Sequence, residues 1–239
     1  MLKLLGMLFA AGKLGKLLTT GGTMILSVAA YALVWGVPYA FGLVLLIFVH
    51  EMGHYLAARR RGLEVGAPTF IPFVGAWVAM KDMPRDVETE AYVGLAGPVI
   101  GTLGAMVAYW LAQINDSMLM LAIAYGGFFI NLFNLIPLSP FDGGRITAIL
   151  SPRIWLLGVP ILVALFFWRP SPLLILMALL AAPQVIKAFR YDPKDPENLR
   201  YYAVTARKRW EYGAWYLGLA AFLAIMSFEL HETLSARGR

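Results

Sequence analysis

Apolar residues run along this chain in long blocks, and polar residues gather in the short gaps between them. The first block is Thr23 to Trp35, and Gly36 and Pro38 punctuate its end. A second block, Tyr39 to Ala58, closes on three consecutive arginines, Arg59 to Arg61. Further blocks run from about Ala91 to Ala112, Met118 to Asn134, Ile154 to Trp168, Leu173 to Ala188 and Tyr212 to Phe228. A helix needs roughly 20 apolar residues to cross a bilayer, and the pattern predicts about seven such spans.

Three segments depart from this pattern. In Ala67 to Met80, Pro68, Pro72 and Gly75 interrupt β-branched and aromatic residues. The segment reads as two short strands joined by a turn, too short to span, with a polar loop following over Lys81 to Glu90. After Asn134, Pro137 and Pro140 break the fourth span, and Phe141 to Arg145 form an irregular turn before a short helix to Leu150. Met1 to Ala10 joins Lys3 to a short apolar run, and Lys13 and Lys16 follow. That suits an amphipathic segment on the membrane surface better than a signal peptide.

Composition agrees with the blocks. The 239 residues are 60% hydrophobic and 14% charged, and the net charge is +6. Soluble domains carry about a quarter charged residues. The expected architecture is an all-α polytopic membrane protein with a short membrane-associated β-hairpin and one broken helix. Residues 1–239 are expected to form one membrane-embedded domain with its core over 39–150. The basic residues sit at the ends of apolar blocks, so they orient the chain in the bilayer and do not point to nucleic acid. With the N-terminus in the cytoplasm and seven alternating spans, all 20 Lys and Arg except Arg169, Arg237 and Arg239 fall inside. This bias predicts a multi-pass protein of the cell membrane with its C-terminus outside. The absence of cysteine excludes disulfides and thiolate metal sites.

His50, Glu51 and His54 form the pattern His-Glu-x-x-His inside the second block. Residues four apart differ by about 40° around a helix, so both imidazoles share one face and can bind one metal. Neutral imidazoles suit zinc, and a catalytic zinc site keeps three protein ligands and one open position. Glu51 stands beside them as a base for the attacking water. In a soluble helix, three such residues would read as a solvated face. Here they follow a wholly apolar run, Phe41 to Val49. A carboxylate there costs on the order of 2.5–3.5 kcal/mol by insertion scales, which favours a functional reading. The position is roughly 10 Å from the arginine end of the helix, within reach of water.

A third ligand is needed. His231 falls near the C-terminus, on the side expected outside, and reads as an exposed tail residue. Asp142 is the better candidate, because its segment breaks a span, and irregular backbone at membrane depth is tolerated only where protein buries it or it lines a wet cavity. The alternative is an ordinary helix boundary in which Asp142 caps a helix from Gly143.

Together, His50-Glu-Met-Gly-His54 and the later Asn134-Leu-Ile-Pro137-Leu-Ser-Pro-Phe-Asp142-Gly143 resemble the site-2 protease family of intramembrane zinc metalloproteases. Gly97-Pro-Val-Ile-Gly101 is similar to a third family signature, and helix packing explains it equally well. The likeness covers roughly Tyr39 to Leu150. It implies that His50, His54 and Asp142 hold Zn2+, that Glu51 is the general base, and that Asn134 binds substrate or the developing oxyanion. For Asn134 the alternative is an amide that satisfies carbonyls freed at the helix end. The length leaves no room for the PDZ or CBS domain of many relatives, so the chain is expected to be a minimal form.

The function so implied is hydrolysis of a peptide bond in or near the transmembrane segment of a single-span membrane protein, within the lipid bilayer. A metal-ion carrier would want a polar path across both leaflets and an inverted repeat, and the sequence shows neither. A non-catalytic binding protein would not need Glu51. The substrate, the regulator and the oligomeric state are not readable.

Overall fold

A computed structural model describes residues 2–78 and 82–237, with side chains described from Thr19 onward except that of Trp77. The chain is helical with one small sheet. Helix α1 (Leu2–Trp35) is followed by α2 (Val37–Arg60), the strands β1 (Thr69–Ile71) and β2 (Gly75–Trp77), α3 (Val87–Asn115) and α4 (Met118–Asn134). Then come the short α5 (Asp142–Thr147), a 3-10 turn (Pro152–Leu157), α6 (Gly158–Trp168), α7 (Pro172–Phe189), α8 (Pro196–Tyr201) and α9 (Ala206–Arg237).

Every apolar block lies in a helix, and the breaks fall where the sequence places them. Gly36 separates α1 from α2 at φ +82°, a conformation open to glycine, and Pro38 occupies the first turn of α2. The helix of the first block is longer than expected and continues unbroken from Leu2. The expected surface segment lies mostly in this stretch, where only the backbone is described, and its Met1 lies outside the described residues. Among the described residues, four helices are long and apolar enough to cross a bilayer: α2, α3, α7 and α9. Three shorter apolar helices, Thr19–Trp35, Met118–Asn134 and Pro152–Trp168, occupy the other expected positions.

Burial divides these helices into centre and periphery. Over their apolar windows α2 and α3 are 56% and 50% buried, whereas α7 and α9 are each 17% buried. The outer helices expose Leu33, Phe167, Trp168, Leu179 and Trp215. That much apolar surface is a liability in water and a good match for lipid. The chain is an integral membrane protein whose central pair, α2 and α3, is walled by α4 and α9 on one side and by α1 on another.

Ion pairs show which helix ends share a face. Arg61 after α2 and Lys208 of α9 both reach Glu88 at the start of α3, at 3.8 and 3.2 Å. Beside them Tyr201 donates to Glu90 at 2.6 Å, and burial together with that carboxylate pushes its phenol well above the usual range. At the other face Arg237 of α9 meets Asp116 after α3 at 2.9 Å. Helices α3 and α9 therefore run parallel, and the arginine ends of α2 and α9 lie together.

The strand pair forms as the sequence suggests, antiparallel with Phe70 opposite Ala76. Ala79, Met80 and Lys81, at the end of the expected hairpin and the start of its loop, lie outside the described residues. The hairpin climbs along α1 on three hydrogen bonds. Thr20 donates to the Pro68 carbonyl at 2.7 Å, the Phe70 amide donates to Thr23 at 3.2 Å, and the Phe73 amide donates to the Tyr31 hydroxyl at 3.1 Å. Phe73 turns the hairpin at φ +62°, an uncommon conformation for a bulky residue, and its ring packs edge-on against Tyr31 at 5.0 Å.

Candidate metal centre

The site forms where α2 faces the break between α4 and α5. His50, Glu51 and His54 lie on α2 and are buried, with 4%, 8% and 6% of their surface exposed. Asp142 opens α5 and is 7% exposed. Ninety-two residues after His50, its carboxylate lies 3.1 Å from the Nε2 atoms of both His50 and His54. The two Nε2 atoms are also 3.1 Å apart. Three potential ligand atoms thus make a nearly equilateral triangle. The cap of α5 is Phe141, with no side-chain capping bond, so the Asp142 carboxylate is turned to the histidines and does not cap the helix.

The hydrogen-bond partners settle what these atoms can do. The Nδ1 of His54 lies 2.7 Å from the Val93 carbonyl, which only accepts, so Nδ1 carries the proton. The Nδ1 of His50 lies 2.8 Å from Oδ1 of Asn131. The amide nitrogen of Asn131 donates to the Gly127 carbonyl at 2.8 Å, which fixes Oδ1 toward His50 and makes Nδ1 of His50 the donor. In neutral imidazoles both Nε2 atoms are then bare lone pairs. They face each other and a carboxylate with no donor among them. Such an arrangement is repulsive without a positive centre.

The triangle fits a metal ion in size as well. In a tetrahedral zinc site with ligands at about 2.0–2.1 Å, neighbouring donor atoms stand about 3.3–3.4 Å apart. Glu51 adds an adjacent carboxylate: it and the donor atoms of both histidines lie within 4.8 Å of one another, a spacing that admits a water molecule between them.

The surrounding backbone is shaped around these side chains. A Cβ on Gly97 would collide with the His54 ring, and one on Gly101 would collide with the Asn131 amide. The Gly97-Pro-Val-Ile-Gly101 segment of α3 therefore does more than pack helices, since each glycine makes room for a polar residue of the site. The break that presents Asp142 is braced from four sides. Tyr216 of α9 donates to the Leu135 carbonyl at 2.6 Å, and Trp155 donates to the Gly144 carbonyl at 2.7 Å. Gln184 of α7 accepts from the Ser139 amide. Arg209 donates to the carbonyls of Ile149 and Leu150 at 2.6 and 2.7 Å. Backbone freed by Pro137 and Pro140 is thus satisfied internally, as a membrane interior demands.

Two other expected positions lie apart from the triangle. Asn134 is half-buried at the end of α4, and its amide donates to the Ile130 carbonyl one turn back at 3.1 Å. His231 is exposed on the last turns of α9, its ring 5.8 Å from that of Tyr125. Asn131 was not singled out from the sequence. The available signal was a second amide inside an apolar span, three residues before Asn134.

Comparison with known proteins gives a consistent picture. The model of peptidase family M50 matches residues 38–117. A zinc metalloprotease of Methanocaldococcus jannaschii is 33% identical over 135 residues, covering 54% of this chain and 38% of the relative. A Mycobacterium tuberculosis protein provisionally named a zinc metalloprotease is 30% identical over 127 residues, 48% of this chain and 32% of the relative. A second M. jannaschii protein, also provisionally named so, is 29% identical over 182 residues, 61% of this chain and 93% of the relative. The chain spans well under half the length of the first two.

Proposed function

We propose that the chain, whose residues 38–117 match the model of peptidase family M50, is a protease of the site-2 type: an intramembrane zinc metalloprotease acting on peptide bonds in or near the transmembrane segments of single-span membrane proteins. The observation that carries this reading is the triangle of three acceptor atoms at 3.1 Å, buried among apolar helices beside Glu51.

His50, His54 and Asp142 would hold the zinc. When bound, zinc supplies Lewis acidity, polarising a scissile carbonyl and lowering the pKa of water toward about 7. The rest falls to the chain's own residues. Glu51 takes the proton of the attacking water on its carboxylate and returns it to the amine that leaves, so one group serves as base and then as acid. His50 and His54 would bring neutral nitrogens to the metal and Asp142 one negative charge, and the scissile carbonyl oxygen gains charge as its carbon becomes tetrahedral. Asn134 stands at the mouth of the break as a donor for substrate or that oxyanion. In this role it exchanges the Ile130 carbonyl for the ligand.

A helical substrate must be extended before its carbonyl can be attacked. The hairpin offers a template on one side only. The outer edge of β1 is occupied by Thr20 and Thr23 of α1. The Phe70 amide, directed to Thr23, points away from β2, so its partner Ala76 directs its own amide to the outer edge of β2. Among the described residues none pairs with that edge. An extended peptide adding there would gain backbone hydrogen bonds at membrane depth, where an unpaired group costs about 1–3 kcal/mol. Phe70 shares an apolar cluster with Ile47, which lies one helical turn before Glu51 on α2.

The orientation proposed is that of the basic residues. The shared face of Arg61 and Lys208 lies in the cytoplasm, and Arg237 with Asp116 lies outside.

Three outcomes test this reading. Glu51→Gln should abolish cleavage of a model single-span substrate, by more than about 100-fold for loss of a general base, while zinc per protein stays at the wild-type level. Full cleavage by this variant would refute the mechanism. Ala76→Pro removes the outward amide of β2 without touching the ladder, and it should reduce cleavage at unchanged zinc content and thermal stability. Undiminished cleavage would leave the hairpin as packing only. A single cysteine at Ser235 should react with an impermeant thiol reagent in intact cells. Labelling only after lysis would reverse the orientation.

A further inference from the structure

Asn131 is the one amide side chain among the described residues that is almost wholly enclosed, at 2% exposure, and it lies in the apolar helix α4. An amide there must find partners for both ends, because an unmet buried polar group is costly. Its two ends are assigned without ambiguity. The Gly127 carbonyl can only accept, so it takes the amide N–H, and Oδ1 is left to accept from Nδ1 of His50, each at 2.8 Å. Gly101 of α3 leaves the space that the amide fills, since a Cβ there would collide with it.

From this geometry, and resting on the zinc-protease reading above, we infer that Asn131 is a positioning residue for the metal. It holds His50 in the Nδ1–H tautomer and aims Nε2 at the ligand triangle. Without such a partner the imidazole of His50 can carry its proton on either nitrogen and can turn about its Cβ–Cγ bond. Either change takes a ligand away from the triangle. His54 is held in the same sense, but by the Val93 carbonyl at 2.7 Å, which no side-chain substitution removes. The two ligands on one helix are thus oriented by two different neighbours, one backbone and one side chain. Only the second is open to substitution.

The choice of amide over carboxylate has a physical reason. Asn131 presents a neutral acceptor, so it orients His50 without adding a buried negative charge to a site that already holds Asp142 and Glu51. It also needs its N–H end for Gly127, which a carboxylate could not serve. The conservative variant Asn131→Asp therefore keeps the acceptor toward His50 and loses the bond to Gly127. Asn131→Leu loses both.

This difference separates a positioning role from a structural one. The full-length protein, purified in detergent, would be titrated with zinc against a competing chelator, and its thermal stability would be measured without metal. Asn131→Leu should bind zinc about 10–100-fold more weakly than wild type, the usual effect of losing an outer partner of a ligating histidine. Asn131→Asp should bind zinc at least as tightly as wild type, although both variants lose metal-free stability with the Gly127 bond. Where leucine crowds Gly101 and prevents folding, Asn131→Ala makes the same comparison. Unchanged zinc affinity in the leucine or alanine variant overturns the inference, as does an equal loss of affinity in Asn131→Asp. Failure of the zinc-protease reading itself would look different, because the wild-type protein would then bind no zinc.

Discussion

Two neutral imidazoles and a carboxylate, their Nε2 and oxygen atoms mutually 3.1 Å apart inside a membrane protein, repel one another unless a proton or a metal cation sits among them. In a medium of low dielectric that repulsion is strong. The arrangement is held open by the fold. The Val93 carbonyl and the Asn131 amide fix the tautomers, and the braced break between α4 and α5 fixes Asp142. A metal ion would meet a site already shaped for it, with little ordering left to be done.

The rest of the architecture follows from that demand. Polar side chains from α2 and α4 must fit between closely packed helices, so α3 carries Gly97 against α2 and Gly101 against α4, where a methyl group would strike His54 or Asn131. A carboxylate must enter from a helix end, so α4 stops at Asn134 and the chain turns through Pro137 and Pro140. Tyr216 of α9 and Gln184 of α7 bond the backbone of that turn, and Trp155 of the 3-10 turn and Arg209 of α9 bond carbonyls in and just after α5. Peripheral helices therefore support the centre through single polar contacts, while their apolar faces meet lipid. On the opposite side α1 holds the hairpin by hydroxyl groups and leaves only the outer edge of β2 open.

Much of this was legible in the sequence because it rests on local patterns. The His-Glu-x-x-His spacing needs only helical periodicity, and its apolar setting marks it as more than a solvated face. The prolines and glycines around Asp142 announce a break, and the β-branched and aromatic residues between Pro68 and Trp77 announce a hairpin. What stayed hidden depends on tertiary contact. Asn131 looks like any polar residue in a span until its partners at His50 and Gly127 are known. The Val93 carbonyl leaves no trace in sequence, because every residue has one. The lengths of the spans were also hard to read. Helices α1 and α9 run well past their apolar blocks, and α4 is short, because it is buried by protein and need not match the bilayer alone. The roles of Thr20, Thr23 and Tyr31 depend on which strand edge faces α1, which no pattern along the chain discloses.

The central claim is that a carboxylate from the broken helix completes a three-ligand metal centre begun on α2. The most direct measurement is zinc retention by Asp142→Ala beside wild type, after dialysis of the purified proteins against a graded series of chelator concentrations. Wild type should retain about one zinc per chain, as a single three-ligand site requires. The variant should lose it at chelator levels more than about 100-fold lower, since a direct ligand is worth more than an outer partner. Equal retention by the two proteins would contradict the account and leave Asp142 as a residue of the helix boundary alone.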